Sequence, residues 1–138
     1  MDPRTRTRIM QSIRKRDTGP EIRVRKALHA AGLRYRLHAR DLPGTPDIVF
    51  RKARIVVLVH GCFWHQHEGC KLARRPKGNR AYWEPKLARN MARDLEAHAA
   101  LVAAGWDVVT VWECEASQKS ALDDKVRLVQ RKVVDAAA

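Results

Sequence analysis

A chain of 138 residues, 45% of them hydrophobic, is long enough for one domain with a real core and too apolar for a disordered chain. Its formal charge of +13, from 28 Lys and Arg against 15 Asp and Glu, calls for a polyanionic partner, because cations near phosphates release condensed counterions. A membrane role is disfavoured: the arginine-rich start lacks the apolar run of a secretory signal, Ile55 to Val59 is too short to span a bilayer, and no basic helix carries a large apolar face.

The stretch from Arg4 to Arg16 holds six basic residues, with Ile9, Met10 and Ile13 at helical spacing, and predicts a basic arm or short helix over 1–17. Such an arm is either a solvated segment or one that grips phosphates. Thr18-Gly19-Pro20-Glu21 is a helix start, with Thr18 as cap, Pro20 in the first turn and Glu21 where a capping box places its acid. Val24, Ala27, Leu28 and Ala31 form its buried stripe, and Gly32 stops it. After the turn Leu42 to Pro46, Asp47 to Phe50 and Arg54 to His60 flank Arg51-Lys52-Ala53 as a hairpin, whose second strand is apolar enough to be central in a sheet.

From His60 to Arg80 there is no periodicity. A long helix is predicted from about Glu84 to Ala104, with Leu87, Met91, Leu95, His98 and Val102 on one side and Gly105 at its end. Trp106 to Trp112 is a further strand, both tryptophans being expected in the core. Strand, long helix and strand in succession predict a parallel crossover. A last helix from about Ala121 carries Leu122, Val126, Val129 and Val133, and a disordered tail is expected over 135–138. The order αββαβα predicts a single α/β domain, a mixed sheet flanked by helices.

Three cysteines would stay unpaired in a reducing cytoplasm. Cys62, His67 and Cys70 fall within nine residues, and Cys114 follows the last strand. If the two strands are neighbours, these four residues complete a closed tetrahedral zinc site, which is the structural kind. The alternative is three inert buried cysteines, and spacing alone does not decide between His67 and His65 as ligand.

Asp47 begins a strand, where Asp is disfavoured, and the neighbouring strand ends at His60; carboxylate and backbone oxygens there suit Mg²⁺. Phosphodiester cleavage needs a metal to neutralise charge and a group to move a proton, and Glu21, Asp94 and His65 are candidates for further shells. The bland alternatives are a capping-box acid for Glu21 and a solvated helix face for Asp94. Phe63, Trp64 and Trp83 either pack the polar loop down or stack on opened bases.

His60-Gly61-Cys62-Phe63-Trp64-His65-Gln66-His67, with Pro43-Gly44-Thr45-Pro46-Asp47, resembles the very short patch repair endonucleases. Arg16-Asp17-Thr18 to Glu21, Asn90 to Asp94 and Val111-Trp112-Glu113-Cys114 continue the likeness, in the family's order, from about Thr5 to Cys114. The resemblance implies a fold like that of the type II restriction endonucleases and Mg²⁺-dependent nicking of one DNA strand 5′ to the thymine of a T:G mismatch. It implies Asp47 and the Val59 backbone carbonyl as ligands of two Mg²⁺ ions, His65 as catalytic base or acid, and Glu21, His60 and Asp94 as groups that hold metal-bound water and the phosphate. Val59 stands where the family often has threonine. Cys62, His67, Cys70 and Cys114 would bind the structural zinc; Phe63, Trp64 and Trp83 would wedge beside the mismatch from the major groove and Met10 from the minor groove, with Lys86 near the mispaired bases. A cytoplasmic, nucleoid-associated monomer acting on duplex DNA, with mismatch-repair proteins as possible partners, is the corresponding expectation. Two other readings remain: a restriction-type or general repair nuclease on the same scaffold, and a zinc-stabilised DNA-binding module without catalysis.

Overall fold

The computed structural model describes residues 18–137. The N-terminal arm over 1–17, Met10 included, lies outside the described residues. In chain order the elements are α1 (Gly19–Ala30), β1 (Arg36–Leu37), β2 (Ile48–Phe50), β3 (Ile55–His60), a 3₁₀ turn (Lys71–Ala73), α2 (Arg80–Ala103), β4 (Asp107–Trp112), α3 (Glu113–Ala116) and α4 (Lys119–Ala137). The strands form one sheet in the order β1-β2-β3-β4.

The expected mixed sheet is present. β2 and β3 pair antiparallel, Ile48 opposite Val57 and Phe50 opposite Ile55, around a turn closed by Arg54 N–H to Arg51 O at 3.3 Å. β3 and β4 pair in parallel, from Ile55 opposite Asp107 to His60 opposite Trp112, with α2 as the crossover. β3 is therefore central, as its apolar run requires. β1 was not foreseen: its two exposed residues carry no alternation, and it exists by pairing Leu37 with Ile48. One apolar layer joins Val24 and Leu28 of α1 and Val126 and Val129 of α4 to the sheet; Val49, Val56, Leu101 and Trp106 form the layer on the other face.

Thr18 caps α1 through Oγ1, which accepts the Glu21 N–H at 3.3 Å. Only half of the capping box forms in this way, because the Glu21 side chain bonds Arg25 and His38 instead. α4 begins two residues earlier than expected and continues to Ala137, through most of the segment expected to be a disordered tail.

α2 differs most from the periodicity. It starts at Arg80, four residues earlier, with Pro85 inside its second turn. Of the expected buried stripe only Leu87 is buried, whereas Met91 is 40% exposed, Leu95 73% and Val102 54%. The face turned inward runs instead through Trp83, Leu87, Asn90, Asp94, Ala97 and Leu101. Asn90 and Asp94 bond to the loop after β3, so a polar pair occupies positions that hydrophobic periodicity assigns to solvent. Gly44 brings the preceding turn against this helix: its φ is +71°, and a Cβ there would sit 2.7 Å from the Ala97 Cβ.

Candidate active site

Three clusters of potential ligand groups stand at the C-terminal ends of β3 and β4 and beside the start of β2. In each, the donor atoms lie within 4.8 Å of one another. The parallel register explains the first: His60 opposite Trp112 places the residues after both strands side by side.

Cys62, His67, Cys70 and Cys114 make up that cluster. The His67 Nδ1 is 3.7 Å from the Cys62 Sγ and 3.5 Å from the Cys114 Sγ. A tetrahedron built on zinc–sulfur and zinc–nitrogen bonds has edges of about 3.6 Å, so these spacings suit one cation. Burial pushes the Cys62 thiol up to about 12 and raises that of Cys114, so a cation would have to draw those protons off. The loop is tied down by Cys62 N–H to Glu113 Oε1 at 3.2 Å, by His67 N–H to Cys62 O at 2.9 Å, and by Cys114 N–H to Cys62 Sγ at 3.4 Å. Of the two histidines that spacing left open, His67 faces the cysteines and His65 faces α2.

His60, His65 and Asp94 form the second cluster. His65 Nδ1 is 2.6 Å from Asp94 Oδ2, and the His60 and His65 rings stack at 3.9 Å with 5° between planes. Burial, and then the neighbouring His65, lower His60 to about 4, so this ring stays neutral near pH 7. Trp112, expected in the core, belongs here instead: it stacks on His67 at 4.1 Å and meets His60 edge-on at 5.3 Å. It thereby links the first cluster to the second.

Glu21, His38 and Asp47 form the third. Asp47 Oδ2 accepts the Val59 N–H at 2.8 Å, which ties it to the strand next to its own. Burial, opposed by that hydrogen bond and reinforced by Glu21, raises its carboxyl to about 7. Glu21 is only 2% exposed; Arg25 donates to its Oε2, and His38 Nε2 lies 3.1 Å from its Oε1. His38 and Arg25 were missed by sequence reasoning. Neither belongs to a motif: Arg25 reaches Glu21 from one turn along α1, and His38 reaches it through a fold contact between α1 and the end of β1.

Phe63, Trp64 and Trp83 do come together, with ring centroids 5.2 to 5.6 Å apart. Trp83 is 9% exposed and backs the other two. Tyr82, half exposed and unremarked in the sequence, adds a fourth ring 4.8 Å from Trp83. Lys86 Nζ donates to its hydroxyl at 3.0 Å and sits 4.2 Å from its ring centroid.

A strongly basic α/β domain with a buried and a half-buried carboxylate beside the strand that leads to a histidine–aspartate pair has the make-up of a nuclease. The comparisons give the family: the sequence profile of DNA mismatch endonuclease Vsr matches residues 1–71, and the chain belongs to that family. It is 50% identical over 127 residues to the type II nicking enzyme V.XorIIP of Xanthomonas oryzae pv. oryzae, covering 92% of this chain and 93% of that one. It is 38% identical over 124 residues to the DNA mismatch endonuclease Vsr of Escherichia coli K12, covering 90% of this chain and 79% of the relative. A third relative, the type II nicking enzyme V.NmeAIP of Neisseria meningitidis, is 37% identical over 131 residues, 95% of this chain and 93% of its own. The chain is thus a DNA endonuclease, a hydrolase of DNA repair. No helix among the described residues is long and apolar enough to cross a membrane.

Proposed function

We propose that this endonuclease nicks one strand of duplex DNA 5′ to the thymine of a T:G mismatch, the lesion left when 5-methylcytosine deaminates, and so initiates very short patch repair. Catalysis depends on Mg²⁺, the Cys/His cluster holds a structural zinc, and the scaffold is of the type II restriction endonuclease kind. The enzyme works as a monomer, because one active site suffices for one nick. The observation that carries this reading is the convergence of Asp47, Glu21 and the His65–Asp94 pair around the end of β3.

Asp47, with Glu21 and the Val59 backbone carbonyl, offers the hard oxygen donors that Mg²⁺ prefers. When bound there, the cation neutralises charge on the phosphate and acidifies water. Proton movement falls to the protein. With Nδ1–H donated to Asp94, His65 presents Nε2 as a base, and the carboxylate stabilises the imidazolium that forms. His60 stays neutral against its face, so no like charge opposes that protonation. Water attacks the phosphorus, its proton passes to His65, and the P–O3′ bond breaks; the departing O3′ takes a proton from solvent, which leaves a 5′-phosphate and a 3′-hydroxyl. Phe63 and Trp64, backed by Trp83, are the rings that enter the duplex beside the mismatch. Each base stacked on such a ring is worth roughly 1–3 kcal/mol, of the order needed to open one step. Lys86, held on Tyr82, reaches the mispaired bases.

The test is strand-resolved cleavage of one labelled duplex carrying T:G or C:G, with and without Mg²⁺. A nick confined to the thymine strand of the mismatched duplex, only with Mg²⁺, is the expected result. Cleavage of both duplexes would move the target to a restriction-type or general repair role. Binding without cleavage at any Mg²⁺ concentration would remove catalysis.

A further inference from the structure

Glu21 comes from a helix and Asp47 from a strand, so something must hold the two carboxylates in register. We propose that His38 is the positioning residue that does so, orienting the Glu21 carboxylate toward the cation that Asp47 binds. The inference rests on the reading of Asp47 and Glu21 as the catalytic metal site.

The ladder that places Asp47 also places His38. Leu37 pairs with Ile48; one step further, His38 donates its N–H to the Asp47 carbonyl at 3.0 Å, and Ala39 donates to Pro46 at 3.2 Å. His38 thus stands directly across from Asp47 with its backbone pinned. Its φ of +47° lies in the left-handed region, where histidine is among the few residues found repeatedly. That twist ends β1, and the His38 ring reaches α1, where Nε2 lies 3.1 Å from Glu21 Oε1. The two Glu21 oxygens are then engaged separately, Oε2 by Arg25 one turn along its own helix and Oε1 by His38 from the sheet, with the same Arg25 nitrogen 3.3 Å from His38 Nε2. Arg25 alone cannot set the relation between helix and strand, because it moves with α1. His38 is the link between them, and its ring is itself mostly buried.

Groups that orient a metal ligand through a hydrogen bond typically govern metal affinity by about 10–100-fold. The distinguishing variants are His38→Asn, which suits the left-handed backbone but is too short to reach Glu21, and His38→Gln, which can reach it with an amide N–H. Mn²⁺ binding to the zinc-loaded full chain is followed by the loss of its free six-line EPR signal, and single-turnover nicking is followed against Mg²⁺ concentration. His38→Asn should weaken Mn²⁺ binding about 10–100-fold and raise the Mg²⁺ concentration for half-maximal nicking in parallel. Affinity for DNA without divalent metal should stay at the wild-type value, while the thermal midpoint should fall in His38→Asn, which gives up a mostly buried ring and its contact with Glu21. His38→Gln should recover most of the loss. Unchanged Mn²⁺ affinity in His38→Asn, or no recovery of that affinity in His38→Gln, overturns the proposal. Asp47→Asn separates the two layers of the argument: if it retains Mn²⁺ binding, the metal-site reading falls and His38 with it. If it loses binding while His38→Asn does not, only the role of His38 falls.

Discussion

Replacing Asp47 by asparagine should make the metal-free protein more stable while abolishing its activity. Asparagine keeps the volume and an oxygen to accept the Val59 N–H, now made at 2.8 Å, but carries no charge beside Glu21. Burial raises the Asp47 carboxyl from 3.8 to about 7 in the folded chain. The folded state therefore takes up this proton at higher pH than the unfolded state does. The stability this group contributes is complete below about 4 and is lost as pH rises to and through 7. By pH 8 the ionised group costs at most about 4 kcal/mol, and relaxation around the site brings a working figure to about 2 kcal/mol. For a chain of 138 residues, 2 kcal/mol corresponds to a rise of about 7 °C in thermal midpoint. The assay is thermal unfolding of zinc-loaded, Mg²⁺-free wild type and Asp47→Asn at pH 8 and pH 5. The variant should melt higher at pH 8, and by roughly two-fifths as much at pH 5. Added Mg²⁺ should raise only the wild-type midpoint, because only wild type binds the ion. Nicking should fall by about a thousandfold or more. A variant no more stable than wild type at pH 8, or equally stabilised at both pH values, would refute the assignment of Asp47 as a strained, metal-awaiting carboxylate.

His65→Ala should lower the single-turnover rate by about 10²–10⁴-fold with DNA affinity unchanged, and Asp94→Asn should lower it less while displacing the acid limb of the pH–rate profile. An unaltered profile in Asp94→Asn would mean that the 2.6 Å contact does not set the His65 tautomer. Elemental analysis should find one zinc per chain in wild type and substoichiometric zinc in Cys114→Ser, with a lower thermal midpoint; full zinc in that variant would exclude Cys114 as a ligand. Gly44→Ala should cost about 2–4 kcal/mol in urea unfolding, since it adds a left-handed non-glycine backbone to a 2.7 Å clash with Ala97. A cost near zero would show that the turn can shift away from α2.

Where the sequence was legible, one local rule coincided with one contact. Thr18 and Pro20 start α1, the apolar run of β3 makes it central, and strand–helix–strand gives the parallel pair that delivers Cys114 to Cys62. Motif residues were legible for the same reason: His60 through His67 lie on one short loop, so proximity in sequence is proximity in space. The illegible parts depend on partners that periodicity does not see. The face of α2 was misassigned because Asn90 and Asp94 are polar yet turned inward by Trp64 and His65, leaving Leu95 in solvent. Trp112 has the composition of a core residue but stacks on His67. His38 belongs to no motif and lies 17 residues from Glu21, and only the two-residue strand β1 brings them together.

The interleaving of residue sets along the loop after β3 gives a physical reason for two side-chain clusters of different chemistry in one small site. In order, His60 belongs with Asp94, Cys62 with the sulfur cluster, His65 with Asp94, and His67 and Cys70 with the sulfur cluster. Among these residues only Cys62 is buried, so little apolar surface holds the loop. Backbone bonds such as His67 N–H to Cys62 O fix its shape locally but not its position on the sheet. Anchors to β4 and α3 supply that: the Cys/His cluster, Glu113 on the Cys62 N–H, and Trp112 against His67. A closed tetrahedral ion suits this task because it takes no part in exchange with substrate. An open oxygen site suits the neighbouring task because it must admit phosphate and water. Because the two residue sets alternate along one loop, a shift of either would carry the other with it, and an anchor at the sulfur cluster therefore also steadies the approach of His65 to Asp94, 2.6 Å away.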